Sequence, residues 1–169
     1  MTRNVCCNKK PRKPYRALLN EARLGNLRFC DPALLCGGLF LLFWMDAGGW
    51  LRLSLLASLC HELGHIAVYL LCMGHFPQID VTPTGFCLHT RALHLPAAAE
   101  LAVTLAGPGM NLLLALFCYC RLQDRATVSL LGFLWANLLV GGFNLLPVPP
   151  LDGAAAVYLL WCRLRGEKK

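Results

Sequence analysis

The stretch His61-Glu62-Leu63-Gly64-His65 sets two imidazoles around a carboxylate inside an apolar run. On a helix, positions i and i+4 share a face, so both rings can reach one metal ion. Glu62 is beside them, placed to take a proton from a water on that ion. Neutral imidazole nitrogen suits zinc, which lowers the pKa of its water toward about 7. A hydrogen-bond network at a helix interface is the plainer alternative for the same trio. A catalytic zinc usually takes three protein ligands, so a third is needed. The remaining acids include Asp31, Asp46, Glu100, Asp124, Asp152 and Glu167, and most of these fall near the edge of an apolar segment. Asp152 is the exception, because it follows an apolar run in Asn144-Leu145-Leu146-Pro147-Val148-Pro149-Pro150-Leu151-Asp152-Gly153. The three prolines lack N–H donors and push their predecessors toward extended geometry. Irregular backbone at membrane depth is tolerated only where it is buried in protein or lines a watery cavity, and hydrolysis consumes water. A surface loop with Asp152 as a helix N-cap is the competing reading.

The elements that must position these residues are apolar. Hydrophobic residues make up 57% of the 169 and charged residues 15%. Soluble domains run nearer about 45–50% and about 25%, so a membrane protein is the leading class. The first apolar run, Pro32 to Met45, is short for a span of roughly 20 residues, and extending it to Trp50 gives a usable length with Trp44 and Trp50 as interface anchors. A second run covers residues 51–73 and carries the histidines. A third covers 98–120, and a fourth starts near 127 and stays uncharged to Leu151. A last apolar piece covers 153–162. If the second helix starts near Leu51, His61 lies about 15 Å along it, near the bilayer midplane, where ionisable side chains are functional candidates. Residues 74–96 differ: Gln78 to Thr82 alternates, and Phe86 to Thr90 can answer it across a turn, which predicts a β-hairpin or re-entrant loop. The fold class is therefore an all-α polytopic membrane protein with about four transmembrane helices and a short hairpin between the second and third.

The whole net charge of +7 sits in the first 28 residues, which hold eight Lys or Arg and the single acid Glu21. Such a tail beside apolar segments faces anionic lipid on the cytoplasmic side. Nucleic acid is a poor partner, since no aromatic residue is interleaved among Lys9, Lys10, Arg12 and Lys13. Residues 1–15 read as disordered and 16–28 as a short interfacial helix. Four crossings put thirteen basic residues on the side of both termini and Arg52, Arg121 and Arg125 on the other, so both termini are expected in the cytoplasm of a multi-pass cell-membrane protein. The ten cysteines are scattered through apolar runs with no C-x-x-C pair and read as free thiols. A cleaved signal peptide is not expected. The domain reading is a basic tail over 1–30, one domain over 31–165 with its core at about 50–165, and a charged C-terminus at 166–169. His75, His89 and His94 read as surface or interface histidines rather than ligands.

Taken together, His61-Glu62-x-x-His65 and Asn144-x-x-Pro147-x-x-x-Leu151-Asp152-Gly153 resemble the site-2 protease family of intramembrane metalloproteases. Ala106-Gly107-Pro108-Gly109-Met110-Asn111 is similar to the family's Gly-Pro-x-x-Asn segment, and the likeness covers roughly residues 50–165. The chain departs from the family's frequent Asp-Gly-Gly-Arg, reading Asp152-Gly153-Ala154-Ala155. The resemblance implies one zinc ion held by His61, His65 and Asp152, with Glu62 as general base. It implies Asn144 in substrate holding or oxyanion support and Asn111 as a polar support, for which a plain interhelical hydrogen bond is the alternative. The implied reaction is hydrolysis of a peptide bond in or near a transmembrane helix of a protein substrate. The strand at 78–82 is expected to offer an edge to the unwound substrate. Regulation is expected to fall to a membrane partner, the tail or the hairpin. The rival readings are a non-catalytic membrane metal protein and a helix-binding module of the same fold.

Overall fold

The structure, a computed structural model, describes residues 21–24, 27–30, 32–82, 85–89 and 96–165. Their order is β1 (Glu21–Leu24), β2 (Leu27–Cys30), α1 (Pro32–Met45), α2 (Trp50–Met73), β3 (Gln78–Thr82), β4 (Gly85–His89), α3 (Ala97–Asp124), α4 (Val128–Asn144) and α5 (Asp152–Leu164). Expectations for residues 1–15, His94 and the last four residues lie outside the described residues.

The helices are long apolar runs ended by polar corners. At 24 and 28 residues, α2 and α3 measure about 36 and 42 Å. Both are long and apolar enough to cross a bilayer, while α1 and α4 are shorter apolar helices. The corner before α2 is built by Asp46. Its carboxylate accepts from the Leu51 and Arg52 N–H groups at 3.2 and 3.0 Å and meets the Arg52 guanidinium at 3.4 Å. Two donors that the first turn of a helix leaves without partners are thereby satisfied. The Thr127 hydroxyl does the same for α4, accepting from Leu130 N–H.

α3 is the hub, packed against α2, α4 and α5, and α2 also packs on α4; α1 leans mainly on α2. The packing is inverted relative to a water-soluble core. The best-buried residues are small or polar, among them Ala57, Asn111, Asn137, Ala115 and Cys118. Large apolar side chains face outward, including Leu112, Leu113, Phe117 and Leu139, each 60% exposed or more. Soluble proteins do not expose apolar surface on this scale. Small residues let backbones approach, and polar groups bond across the interface, as in helix packing within lipid. The chain is a helical membrane protein.

The four strands form one sheet in the order β1-β2-β3-β4. β1 and β2 pair antiparallel, β3 and β4 pair antiparallel, and β2 runs parallel to β3 with Leu27 beside Ile79 and Phe29 beside Val81. Two sequence expectations change here. The interfacial helix over 16–28 gives way, over its described part, to strand backbone, because residues 27–29 find a partner strand far along the chain and β1 pairs with β2. The strand at 78–82 is interior, paired on both sides, so the open edges belong to β1 and β4.

Candidate metal centre

His61 and His65 lie one turn apart on α2, both buried. The third group arrives from α5. Leu145 to Leu151 leaves the helical path in tight turns, with Val148 N–H donating to Leu146 O and Leu151 N–H to Val148 O. Leu151 takes the N-cap position, and Asp152 is the first helical residue. The Asp152 carboxylate points at the histidines and does not cap its own helix. His61 Nε2 is 2.9 Å from Asp152 Oδ2, His65 Nε2 is 3.2 Å from it, and the two Nε2 atoms are 3.1 Å apart.

The far sides of both rings fix their tautomers. His65 Nδ1 is 2.7 Å from the Val103 carbonyl oxygen, which can only accept, so Nδ1 carries the hydrogen. Val103 precedes by one residue Thr104, whose carbonyl has no return N–H because Pro108 follows four positions later. His61 Nδ1 is 2.8 Å from Asn111 Oδ1. Asn111 Nδ2 donates to Ala57 O at 3.3 Å and to Asn137 Oδ1 at 3.2 Å, so the oxygen is the atom left for His61. In their neutral form both rings therefore present Nε2 as a bare acceptor, turned toward each other and toward a carboxylate oxygen. Three lone pairs so placed repel unless a cation joins them.

The donor set fits zinc. Two neutral imidazoles and a carboxylate are ordinary zinc ligands, and ligands about 2.0–2.1 Å from a tetrahedral centre stand about 3.3 Å apart. His61, His65 and Asp152 are a group able to hold a metal ion. Gly107 forms the wall beside them: a Cβ at this position would run into Nε2 of both rings. The wall is close because Gly64 of α2 lies against the Ala106 carbonyl and Met110 of α3, with no room for a side chain.

The remaining expected residues fall in different places. Glu62 is on α2 between the two histidines and half-buried. Asn111 is completely buried on the Nδ1 side of His61, with both amide hydrogens engaged, so it supports the ring and has no hydrogen left for a substrate oxyanion. Asn144 ends α4, and its Nδ2 donates to the Val140 carbonyl at 2.9 Å. It lines an open groove of about 660 Å³ with Ser58, Leu139 and Phe143. His75 is exposed against Tyr69, past the end of α2. Asn137 escaped the sequence reading. Its signal was available, since a lone amide in an apolar helix needs a partner.

No family model matches the chain. It is 30% identical over 114 residues to "Stage IV sporulation protein FB" of Bacillus subtilis (strain 168), a match covering 64% of this chain and 39% of that protein. The match thus spans about two fifths of that relative's length. The fold is similar to that of the "Site-2 Protease from Methanocaldococcus jannaschii", with a TM-score of 0.63, 19% identity, and 86% of this chain and 72% of that one covered.

Proposed function

From this relationship to the site-2 proteases we propose that the chain is an intramembrane zinc metalloendopeptidase, cutting peptide bonds in or near transmembrane segments of protein substrates. The observation that carries the reading is the convergence of two bare Nε2 atoms and one carboxylate oxygen, with their rings held from behind. His61, His65 and Asp152 would hold the ion. Zinc, when bound, supplies Lewis acidity for the scissile carbonyl and makes water a nucleophile near neutral pH. Glu62 takes a proton from the attacking water as the carbon–oxygen bond forms. It returns that proton to the amide nitrogen as the carbon–nitrogen bond breaks, leaving a carboxylic acid and an amine. Asn144, at the groove mouth, is assigned to holding the substrate backbone.

The proposed topology has four crossings, α1 to α4, with both termini cytoplasmic. The β2–β3 pairing supports it, because it brings residues 27–29 beside 79–81 and so leaves an even number of crossings between them. His61 lies about 16 Å from the start of α2 and about 18 Å from its end, near the middle of the membrane. The charged tail is proposed to meet anionic lipid, and β4 to offer the edge that holds an unwound substrate.

The test pairs metal content with turnover. Wild type and Glu62→Gln should each hold one zinc by elemental analysis, while His61→Ala and Asp152→Ala lose it. Glu62→Gln should cut a membrane-tethered reporter about 10²–10⁴-fold more slowly. A Glu62→Gln variant that cuts at the wild-type rate overturns the base assignment. Wild type that binds zinc but cuts no substrate favours the non-catalytic metal protein.

A further inference from the structure

α4 contributes no ligand to the metal centre, yet it carries Asn137, which is fully buried. The amide has a defined orientation. Its Nδ2 donates to the Phe133 carbonyl one turn back at 2.8 Å, which turns Oδ1 toward α3. That oxygen accepts from Asn111 Nδ2 at 3.2 Å, and Asn111 Oδ1 in turn faces His61 Nδ1 at 2.8 Å. The chain Phe133–Asn137–Asn111–His61 therefore runs in one direction, each amide donating backward and accepting forward. Gly141 permits the approach, because a Cβ there would press on the Cβ of Asn111 at 2.9 Å.

Reversal of Asn111 shows what Asn137 is worth. A flipped Asn111 would set its oxygen against the Ala57 carbonyl and the Asn137 oxygen, two acceptors, and its NH₂ against His61 Nδ1. His61 would then carry its hydrogen on Nε2, the atom that faces Asp152 and His65, and could not serve there as a ligand. Without Asn137, only the longer 3.3 Å bond to Ala57 resists the flip. We propose that Asn137 is a positioning residue that fixes the tautomer of His61 through Asn111. The proposal rests on the metal-centre reading given above and extends it to a helix that touches no ligand.

The experiment uses the full chain in detergent, with zinc affinity read by chelator competition and histidine tautomers read by ¹⁵N NMR of the metal-free protein. His61 is assigned by loss of its signals in His61→Gln. Asn137→Leu keeps the branched shape and removes the acceptor, and should weaken zinc binding about 10–100-fold. Asn137→Asp, protonated in this apolar site, keeps an acceptor for Asn111 and a donor for Phe133, and should stay near wild type. Asn111→Ala should weaken zinc as Asn137→Leu does, and adding Asn137→Leu to it should cost nothing further. In wild type, His61 should be protonated at Nδ1 alone, and Asn137→Leu should move part of the population to Nε2. Unchanged zinc affinity in Asn137→Leu overturns the proposal, as do additive losses in the double variant. If Asn137→Leu does not fold, the wild-type spectrum decides, since a hydrogen on His61 Nε2 overturns the proposal alone. Failure of wild type to bind zinc removes the metal-centre reading, while the metal-free spectrum still tests the tautomer.

Discussion

A hydrogen atom's worth of space at Gly107 separates α3 from the two histidine nitrogens. Gly107→Ala would set a methyl group where those lone pairs converge. It should lower zinc affinity at least tenfold while leaving far-UV circular dichroism unchanged, since alanine favours a helix more than glycine. Retention of wild-type affinity would mean that the rings relax away from the wall. At this scale the sequence was informative about α2 and α5. Two histidines four apart can only be read as one face, and Asp152 stood out because prolines on its N-terminal side forbid a regular helix. Asn137 was not legible, because its importance lies in a neighbour on another helix. Asn111 was seen as a polar support, but spacing does not say which side of an imidazole an amide will meet.

The elements were legible in proportion to their length. Runs of 24 and 28 residues declare themselves. Four-residue strands such as β1 and β2 do not, as they are too short to show a period. Leu18, Leu19 and Ala22 fit a helix face equally well. The better signal was Gly25-Asn26, a dipeptide suited to a two-residue hairpin loop. The corner between α1 and α2 gives a pH-dependent prediction. Burial pushes the Asp46 carboxyl up, but the N–H groups of Arg52 and Leu51 and the Arg52 charge outweigh this and hold it below its ordinary 3.8. Its stabilising contribution is thus complete above about pH 4 and is lost as the pH falls through the lowered value. Asp46→Asn should lower the melting temperature at pH 7 and flatten the acid side of the stability profile, as thermal denaturation in detergent would show. Equal acid loss in both proteins would assign that loss elsewhere. For β4, prolines placed singly at Cys87 and Leu88 remove N–H groups that point to opposite sides of the strand. One faces the open edge, and that variant should cut several-fold more slowly with zinc retained; equal, undiminished cutting in both removes the edge role.

The molecule as a whole is sorted by what surrounds it. Leucines and phenylalanines face outward, while alanine, glycine and buried amides hold the helices together. Asp46 and Arg52 mark one end, as do Arg121 and Asp124, paired at 3.5 Å. The sheet marks the other end. Single cysteines placed in a cysteine-free chain should follow this division: positions 26 and 168 should react with an impermeant maleimide only after cells are opened, and position 126 should react from outside. Reaction of 26 and 126 from the same side would exclude four crossings. The parallel join of β2 to β3 also dictates an order of events during synthesis. Leu27, already beside Leu24, must wait for Ile79, fifty-two positions later, for its second neighbour. By then α1 and α2 have left the ribosome, so in the four-crossing topology proposed above the joining of β2 to β3 would follow the insertion of that helical pair. A chain that stalls after Met73 leaves the inner edge of β2, which the finished sheet covers with β3, open to pairing with another chain.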